Sequence, residues 1–588
     1  MGKKDKKIEA WKEYLRPSDW EVVSRAPGNF FLSGEHAVMF GHPAVVQAIP
    51  KYFYVGLRRR LNDSRVNVDS KNVYFVDVLD PEEKSTNFII PTRMIACQLE
   101  HLLSVNGWHG VDIGFYSELP SMCGLASSGA LAAALSIGLH YLFQKGVDHD
   151  EMLGLLNSIS NPTRMLDEII KNPAFSKIVF PLSWCIDTLF HNHQSSGANA
   201  FFSLIGSPDG LPSMYKQTEP RKGDVDNLIN GFLPSRTISE NSICTDYNRS
   251  PKSGLKCSSG KACPDYSNEF SYYSNFPYEA KTVGSDFPNA SCELFNFGCS
   301  LVYSGMPKTT EMAIRSVKER IGKLGEYFSK VKHLMIDASG AFDVTMAYLG
   351  SVSEELWQTI GSYFHSPDIY TSNNVVQKIG FAQSGLRNLL GISTEQIDYI
   401  CRQSQIRGFE AKLTGGGKGG DVVLLCEGKD WNKLREFEKE LENLQEASFR
   451  SHFHARWLTR DFVCYPSIVK AQSHRFLTAI DIKGSEIHRT KDSMLFDGFS
   501  RVTDEVSHAF NGRVLAYHLT DDQRLIAFET EDMSKKHLSV LTERLRDKFG
   551  IECYCAVEET PFDWAEITDL EPTTEQSKWV SNVIHKLK

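Results

Sequence analysis

The sequence predicts an α+β chain with more than one ordered part, and three observations predict it. From residue 20 to about 205, short β-rich runs alternate with helical stretches. From Ser207 to about Cys292 the chain turns rich in Ser, Asn, Pro, Lys and Gly. Between Phe476 and Val557 the order strand, helix, strand, strand, helix, strand returns.

The elements follow in chain order. Residues 1–20 read as an N-terminal leader, with a charged start, Met1-Gly2-Lys3-Lys4-Asp5-Lys6-Lys7. Val22-Val23, Tyr52 to Leu57 and Val73 to Val76 read as strands, and Arg93 to Ser104 as a helix. Segment 207–292 includes Asn248-Arg249-Ser250-Pro251-Lys252-Ser253-Gly254, too polar to bury a core, and reads as a partly disordered insertion. Order resumes with a strand at Cys299 to Tyr303 running into a helix. Helical patterns cover Ala313 to Ser329 and Thr394 to Gln405, and Val422-Val423-Leu424-Leu425 forms a strand. In the last part, Phe476 to Ile482 is a buried strand ending at an acidic turn with Asp481. Leu495, Phe499, Val502, Val506 and Phe510 mark one apolar helix face. Gly512 to Phe528 is a hairpin with Asp521-Asp522 at its tip. A helix from Lys535 to Phe549, a strand from Glu552 to Val557 and a C-terminal helix over 563–588 complete the chain.

Composition excludes several classes. The chain has 588 residues, enough for about three domains, and its net charge of −9 with 23% charged residues advertises no nucleic-acid surface. No apolar stretch reaches the eighteen or so residues of a membrane span, and the charged start argues against secretion. The 13 cysteines lack paired C-x-x-C spacing, which suits reduced thiols in a cytoplasmic protein.

The chemistry concentrates in Cys123-Gly124-Leu125-Ala126-Ser127-Ser128-Gly129-Ala130, set just after Pro120. Glycine lets backbone N–H groups approach an anion, and the serines offer hydroxyls to phosphate or Mg²⁺. The apolar run Leu131 to Leu135 continues as a helix whose positive end faces the ligand. Alone, the octapeptide reads equally well as a serine N-cap over a buried alanine helix. Two further blocks break the tie. One runs from Arg25-Ala26-Pro27-Gly28-Asn29 through Ser33-Gly34-Glu35-His36-Ala37-Val38 to Gly41 and Pro43. The other is Ala411-Lys412-Leu413-Thr414-Gly415-Gly416-Gly417-Lys418-Gly419-Gly420-Asp421.

With these blocks in this order over roughly residues 20 to 460, the chain resembles the GHMP kinase superfamily of galactose, homoserine, mevalonate and phosphomevalonate kinases. Within it the resemblance is closest to the mevalonate kinases. The resemblance implies a ribosomal S5-like N-terminal domain (21–206) and a ferredoxin-like C-terminal domain (293–462). It implies ATP and Mg²⁺ as cofactors and a small anionic, mevalonate-like acceptor. Pro120, Gly124, Leu125, Ala126, Ser127 and Ser128 would wrap the triphosphate, with Ser128 on Mg²⁺. Gly415, Gly416, Gly417 and Lys418 would bring backbone to the phosphates. Glu35 and His36 would face the acceptor, and Thr414 would lend a hydroxyl.

The resemblance also implies a second Mg²⁺ ligand, an acid on a helix before Ser196-Gly197-Ala198-Asn199. Asp187 holds that place, as the metal ligand or as a helix-surface aspartate. Departures from the pattern matter too. Where the mevalonate kinases carry a lysine and a proton-accepting aspartate, this chain has Asn29 and Asn199, which leaves either a base-free kinase or a nucleotide-binding regulator. Lys418 stands where the pattern has glycine, adding charge or crowding the backbone.

Residues 470–562 resemble a shortened class III nucleotide cyclase, GGDEF or tRNA-histidine guanylyltransferase palm, a ferredoxin-like domain in which Asp481 would hold a metal ion. A regulatory or dimerisation domain with solvated turn aspartates is the alternative. The expected partners are thus a small molecule and a second copy in a homodimer, with neither nucleic acid nor membrane.

Overall fold

The computed structural model describes residues 11–16, 19–60, 66–75, 110–120, 124–143, 172, 175–191, 195–218, 278–287, 290, 297–306, 316–317, 319–320, 323, 338–367, 369–443, 453–459, 462–471, 476–483, 513–519, 524–530 and 552–559. The chain divides into two compact units, Met1–Lys470 and Ala471–Lys588.

The first unit opens on a sheet of β1 (Val22–Ser33), β2 (Ala44–Arg60), β3 (Val66–Phe75), β4 (Gly110–Ser117), β5 (Ser213–Gln217), β6 (Tyr278–Thr282) and β11 (Ser467–Ala471). Its main path runs β11-β1-β2-β4-β3, and β5 joins β2 to β6. The β1–β2 register slips between Pro27 and Gly28. Proline has no N–H for a ladder, so an interior strand tolerates it at such an irregularity. There Asn29 turns its N–H to Leu125 O at 3.2 Å, tying the strand to the serine loop.

Helix α1 (Ser127–Phe143) lies on this sheet. Ala130 to Leu135 are all buried, so the helix is apolar all round because it is enclosed all round. Each enclosed leucine contributes about 1.5–3 kcal/mol. The Ser24 hydroxyl of β1 donates to Ala134 O at 2.6 Å, satisfying the one polar group the strand sends under the helix. Helices α2 (Phe180–Phe190) and α3 (Ala198–Ile205) pack beside α1. Between them Phe180 meets Phe201 edge-on at 5.4 Å, and Trp184 donates its indole N–H to Ser195 O at 3.0 Å.

A second, antiparallel sheet has the order β10-β7-β9-β8, from β7 (Phe297–Tyr303), β8 (Glu410–Leu413), β9 (Asp421–Glu427) and β10 (His454–Thr459). Helices α4 (Ala338–His365), α5 (Ile369–Asn388), α6 (Glu395–Ile406) and α7 (Trp431–Asn443) accompany it. Phe342, Met346, Leu386, Ile397, Ile400, Leu413, Val422 and Leu424 share one core there. Thr394 caps α6 by accepting from Ile397 N at 3.3 Å. The glycine block is the loop of the β8–β9 hairpin, so this sheet presents it.

Three sequence boundaries shift. The leader is structural from Trp11 onward, since Trp11, Leu15 and Trp20 pack with Val23, Tyr54 and Tyr116. Gly56 and Gly114 leave the room, as a Cβ on either would meet the Trp20 ring at 2.6 and 2.4 Å. The insertion is ordered at both ends, where β5 and β6 pair in the first sheet, and residues 219–277 between them lie outside the described residues. The first unit also runs past 462, because β11 returns to pair with β1.

The second unit holds an antiparallel sheet of β12 (Phe476–Lys483), β13 (Arg513–Leu519), β14 (Arg524–Thr530) and β15 (Glu552–Glu559), in the order β13-β14-β12-β15. Parallel partners separated by one strand are what a strand, helix, strand, strand, helix, strand chain requires. The helices expected between these strands, Asp521-Asp522 and the C-terminal helix lie outside the described residues. Asp481 differs from expectation. It sits inside the ladder, opposite Leu525 and Tyr554, because pairing with β15 continues to Lys483. Among the described residues no helix is long and apolar enough to cross a membrane.

Candidate active site

The serine loop reaches the glycine block directly. Gly124 has φ +79°, and a Cβ there would lie 2.4 Å from Thr414 O and 2.7 Å from Thr414 Oγ1. Only glycine permits both that conformation and that approach. Ala126 also adopts positive φ (56°), after which Ser127 opens α1, and Ala130 N–H bonds to Ala126 O at 2.9 Å. The N–H groups of the first helical turn have no partner within the helix, so this end is suited to an anion. Pro120 is buried and Leu125 is 2% exposed.

The β8–β9 loop is held in a left-handed course. Gly415, Gly417, Lys418, Gly419 and Gly420 all have positive φ. Lys418, at 63°, thus holds a left-handed backbone that favours glycine and bears the strain of a side chain there. Its N–H is engaged by Ile392 O at 2.7 Å, and Gly420 N–H by Met306 O at 2.8 Å. The loop therefore keeps its shape through backbone bonds to neighbouring segments. Buried Thr414 donates its hydroxyl to Asp421 O at 2.9 Å across the hairpin.

Glu35 and His36 dock on the same hairpin. His36, at φ 62°, places Nε2 3.2 Å from Gly416 O. Glu35, 3% exposed, forms an ion pair with fully buried Lys412. Burial pushes the Lys412 ammonium well below its ordinary pKa.

Asn29 and Asn199 also come together. Asn29 is fully buried, and its Nδ2 donates to Asn199 O at 3.1 Å and to Ser203 Oγ at 3.0 Å. A carbonyl can only accept, which fixes the amide's orientation and leaves Oδ1 as a buried acceptor with no hydrogen bond. Gly129 makes the contact possible, since a Cβ there would lie 2.7 Å from Asn199 Cβ.

Ser128 and Asp187, drawn from separate helices, meet around His191. Ser128 Oγ lies 3.0 Å from His191 Nε2, and Asp187 Oδ1 lies 3.5 Å from the same nitrogen. The Ser195 hydroxyl donates to Asp187 Oδ2. Asp187 is fully buried, which rules out a helix-surface aspartate. Burial alone would push its carboxyl up, but His191 and the Ser195 and Ser128 hydroxyls hold it below the usual range. The three side chains are not an acyl-transfer relay, because such a relay needs the acid on Nδ1 and the hydroxyl on Nε2. Two hydroxyls and a carboxylate are hard oxygen donors of the kind Mg²⁺ takes. Among the described residues no three His, Cys, Asp or Glu side chains gather, so an ion here also depends on hydroxyl and phosphate oxygens.

Sequence reading missed His191 and Lys412. His191 stands four residues after Asp187, one helical turn on, a spacing that was readable. Lys412 lay in plain view in the third block, but its pairing with Glu35 is purely tertiary.

Residues 92–166, which contain the serine loop and all of α1, match the family model of the GHMP kinases N terminal domain. The class that this segment defines is therefore GHMP kinase-like. Mevalonate kinase of Arabidopsis thaliana is 29% identical over 161 residues, covering 20% of this chain and 42% of that protein. The likeness thus spans less than half the length of that relative. Mevalonate kinase of L. major, solved with R-mevalonate, aligns at TM-score 0.41 and 14% identity, covering 73% of this chain and 94% of that one. Streptococcus pneumoniae phosphomevalonate kinase with phosphomevalonate and AMPPNP gives 0.42 and 13%, covering 71% and 95%.

Proposed function

We propose that the chain is an ATP-dependent small-molecule kinase, using Mg²⁺ or a similar divalent ion, that phosphorylates a hydroxyl of a small anionic, mevalonate-like acceptor without a carboxylate base. The observation that carries this reading is the seating of Gly124 on Thr414, which brings the serine loop and the glycine hairpin to one place. Phosphoryl transfer asks chiefly for positioning and for neutralised phosphate charge. ATP supplies the phosphoryl group, and the divalent ion offsets charge on its phosphates.

The chain's own residues do the rest. The α1 N-terminus and Ser127 hold phosphate oxygens, and Ser128 and Asp187 offer oxygens to the ion. His36, anchored on Gly416, lines the acceptor side, while Glu35 and Lys412 fix that loop to the hairpin. Asn29 Oδ1 accepts a hydrogen bond from the acceptor hydroxyl and orients it without removing its proton. The reading includes a cytoplasmic location, on the unpaired cysteine spacing.

The test is Mg²⁺-ATP turnover with mevalonate, phosphomevalonate and homoserine offered separately, with Ser128→Ala as control. Acceptor-dependent ADP release that the variant loses supports the kinase and names its substrate. A second reading, a nucleotide-binding regulator, is favoured by the neutral Asn29–Asn199 pair. Tight ATP binding with no turnover on any acceptor would replace the kinase with that reading.

A further inference from the structure

The His191 imidazole touches both oxygens that a nucleotide site would offer to its ion. Its Nε2 is 3.0 Å from Ser128 Oγ and 3.5 Å from Asp187 Oδ1. Neighbouring donors in an octahedral shell with bonds of about 2.1 Å lie about 3.0 Å apart. In a tetrahedral shell with bonds of about 2.0 Å they lie about 3.3 Å apart. Both oxygens therefore lie from Nε2 at about the spacing of neighbouring ligands on one ion. Asp187 Oδ1 is buried with no hydrogen bond of ordinary length, so a buried anionic oxygen faces this point. His191 is 22% exposed against 0% for Asp187, which makes the imidazole the side from which an ion enters.

The donor set also selects the ion. Mg²⁺ takes oxygen ligands and keeps several waters; Mn²⁺ also suits carboxylate and water oxygens, but as a divalent transition ion it accepts an imidazole nitrogen more readily than Mg²⁺. We propose that Ser128 Oγ, Asp187 Oδ1 and His191 Nε2 form a mixed oxygen–nitrogen site that binds Mn²⁺ in preference to Mg²⁺. The nitrogen coordinates as the tautomer carrying its proton on Nδ1. The proposal rests on reading this cleft as a nucleotide site, and it replaces an all-oxygen site with one that has a histidine ligand.

The experiment titrates the full chain with Mn²⁺, counting free ion by its EPR signal, with and without a non-hydrolysable ATP analogue and with Mg²⁺ as competitor. Pulsed EPR then reads nitrogen coupling to the bound ion in protein carrying ¹⁴N- or ¹⁵N-histidine. The expected result is a histidine coupling that follows the isotope, and Mn²⁺ binding at least tenfold tighter than Mg²⁺. His191→Ala should lose the coupling and at least tenfold in Mn²⁺ affinity, with Mg²⁺ affinity little changed. His191→Gln serves if the alanine variant does not fold, and the isotope comparison needs no variant. Bound Mn²⁺ without histidine coupling, or no bound Mn²⁺ with or without the analogue, overturns the proposal. The kinase reading fails separately: ATP neither bound nor turned over, with the coupling present, removes the kinase and keeps the ion site.

Discussion

Lys412 and Glu35, 377 positions apart in the chain, form a buried ion pair between strand β8 and the loop that follows β1. Lys412 also donates to Leu413 O at 2.9 Å, while Glu35 Oε2 is buried with no hydrogen bond. The pair fastens the loop after β1 to the strand that carries the glycine hairpin.

Breaking that pair from one side should be costly. Lys412→Met leaves the Glu35 carboxylate buried and uncompensated, a loss of about 3–5 kcal/mol. Adding Glu35→Gln removes the stranded charge, so the double variant should recover most of the stability. Urea unfolding of the two variants checks this, and equal losses in both would show that the charges are not coupled.

Gly124→Ala should disconnect the cradle from the hairpin. The substitution places a methyl group about 2.4 Å from the Thr414 carbonyl at a backbone φ of +79°, and the left-handed conformation alone costs roughly 1–2 kcal/mol. We expect a lower melting temperature and loss of nucleotide binding. Gly408→Ala is the comparison, since it has φ +81° but nothing within 4 Å of a Cβ. If both variants bind nucleotide equally well, the Gly124–Thr414 contact is not what forms the site.

The parts legible in the sequence were those that announce themselves locally. Strand runs such as Tyr52 to Leu57, the α6 cap at Thr394 and the glycine hairpin were each readable from a few neighbouring residues. Helices α4 and α5 were not anticipated, because Gly350 and Gly361 interrupt the first and Thr371-Ser372-Asn373-Asn374 opens the second with weak helix formers. Tertiary packing explains those glycines: a Cβ would strike His42 Nδ1 at 2.5 Å or the Phe287 ring at 2.2 Å. The site divides in the same way. Ser128 and Asp187 were readable through the resemblance and His191 stood one helical turn past Asp187, but the meeting of Ser128 with His191 and of Lys412 with Glu35 is set by how distant segments pack.

Asp209 gives a pH dependence with a definite sign. It lies in the turn after α3, beside the Ser207–Cys464 bridge, and accepts from Leu211 N at 3.0 Å. Burial raises its pKa from 3.8 to about 6, so the folded state holds the proton more tightly than the unfolded chain. The favourable contribution is full below about pH 3.8 and is lost as pH rises through about 6. Asp209→Asn keeps an acceptor for Leu211 N–H and removes the titration. The variant should be more stable than the parent at pH 7.5, by up to about 3 kcal/mol, and similar to it at pH 4. Parallel stability curves over that range would count against this assignment.

The Asn29–Asn199 pair offers a gain of function. Asn29 is fully buried with its amide held by Asn199 O and Ser203 Oγ, so Asn29→Lys alone puts a charge where nothing balances it and should lower the melting temperature. Asn199→Asp adds a carboxylate at the residue whose backbone carbonyl Asn29 contacts, and the double variant supplies both a proton acceptor and a counter-charge. A positioned base is worth about 10²–10⁴-fold in rate. The double variant should therefore raise kcat at least about 100-fold over the parent on the acceptor that the turnover assay identifies, with a new acid limb in its pH profile from the added carboxylate. The measurement is steady-state kcat and KM across pH 5–9 for the parent, both single variants and the double variant. If the folded double variant binds ATP but keeps the parent's kcat and pH profile, the reacting hydroxyl does not lie at Asn29 and Asn199, and the acceptor must be placed elsewhere along the His36 side of the cleft.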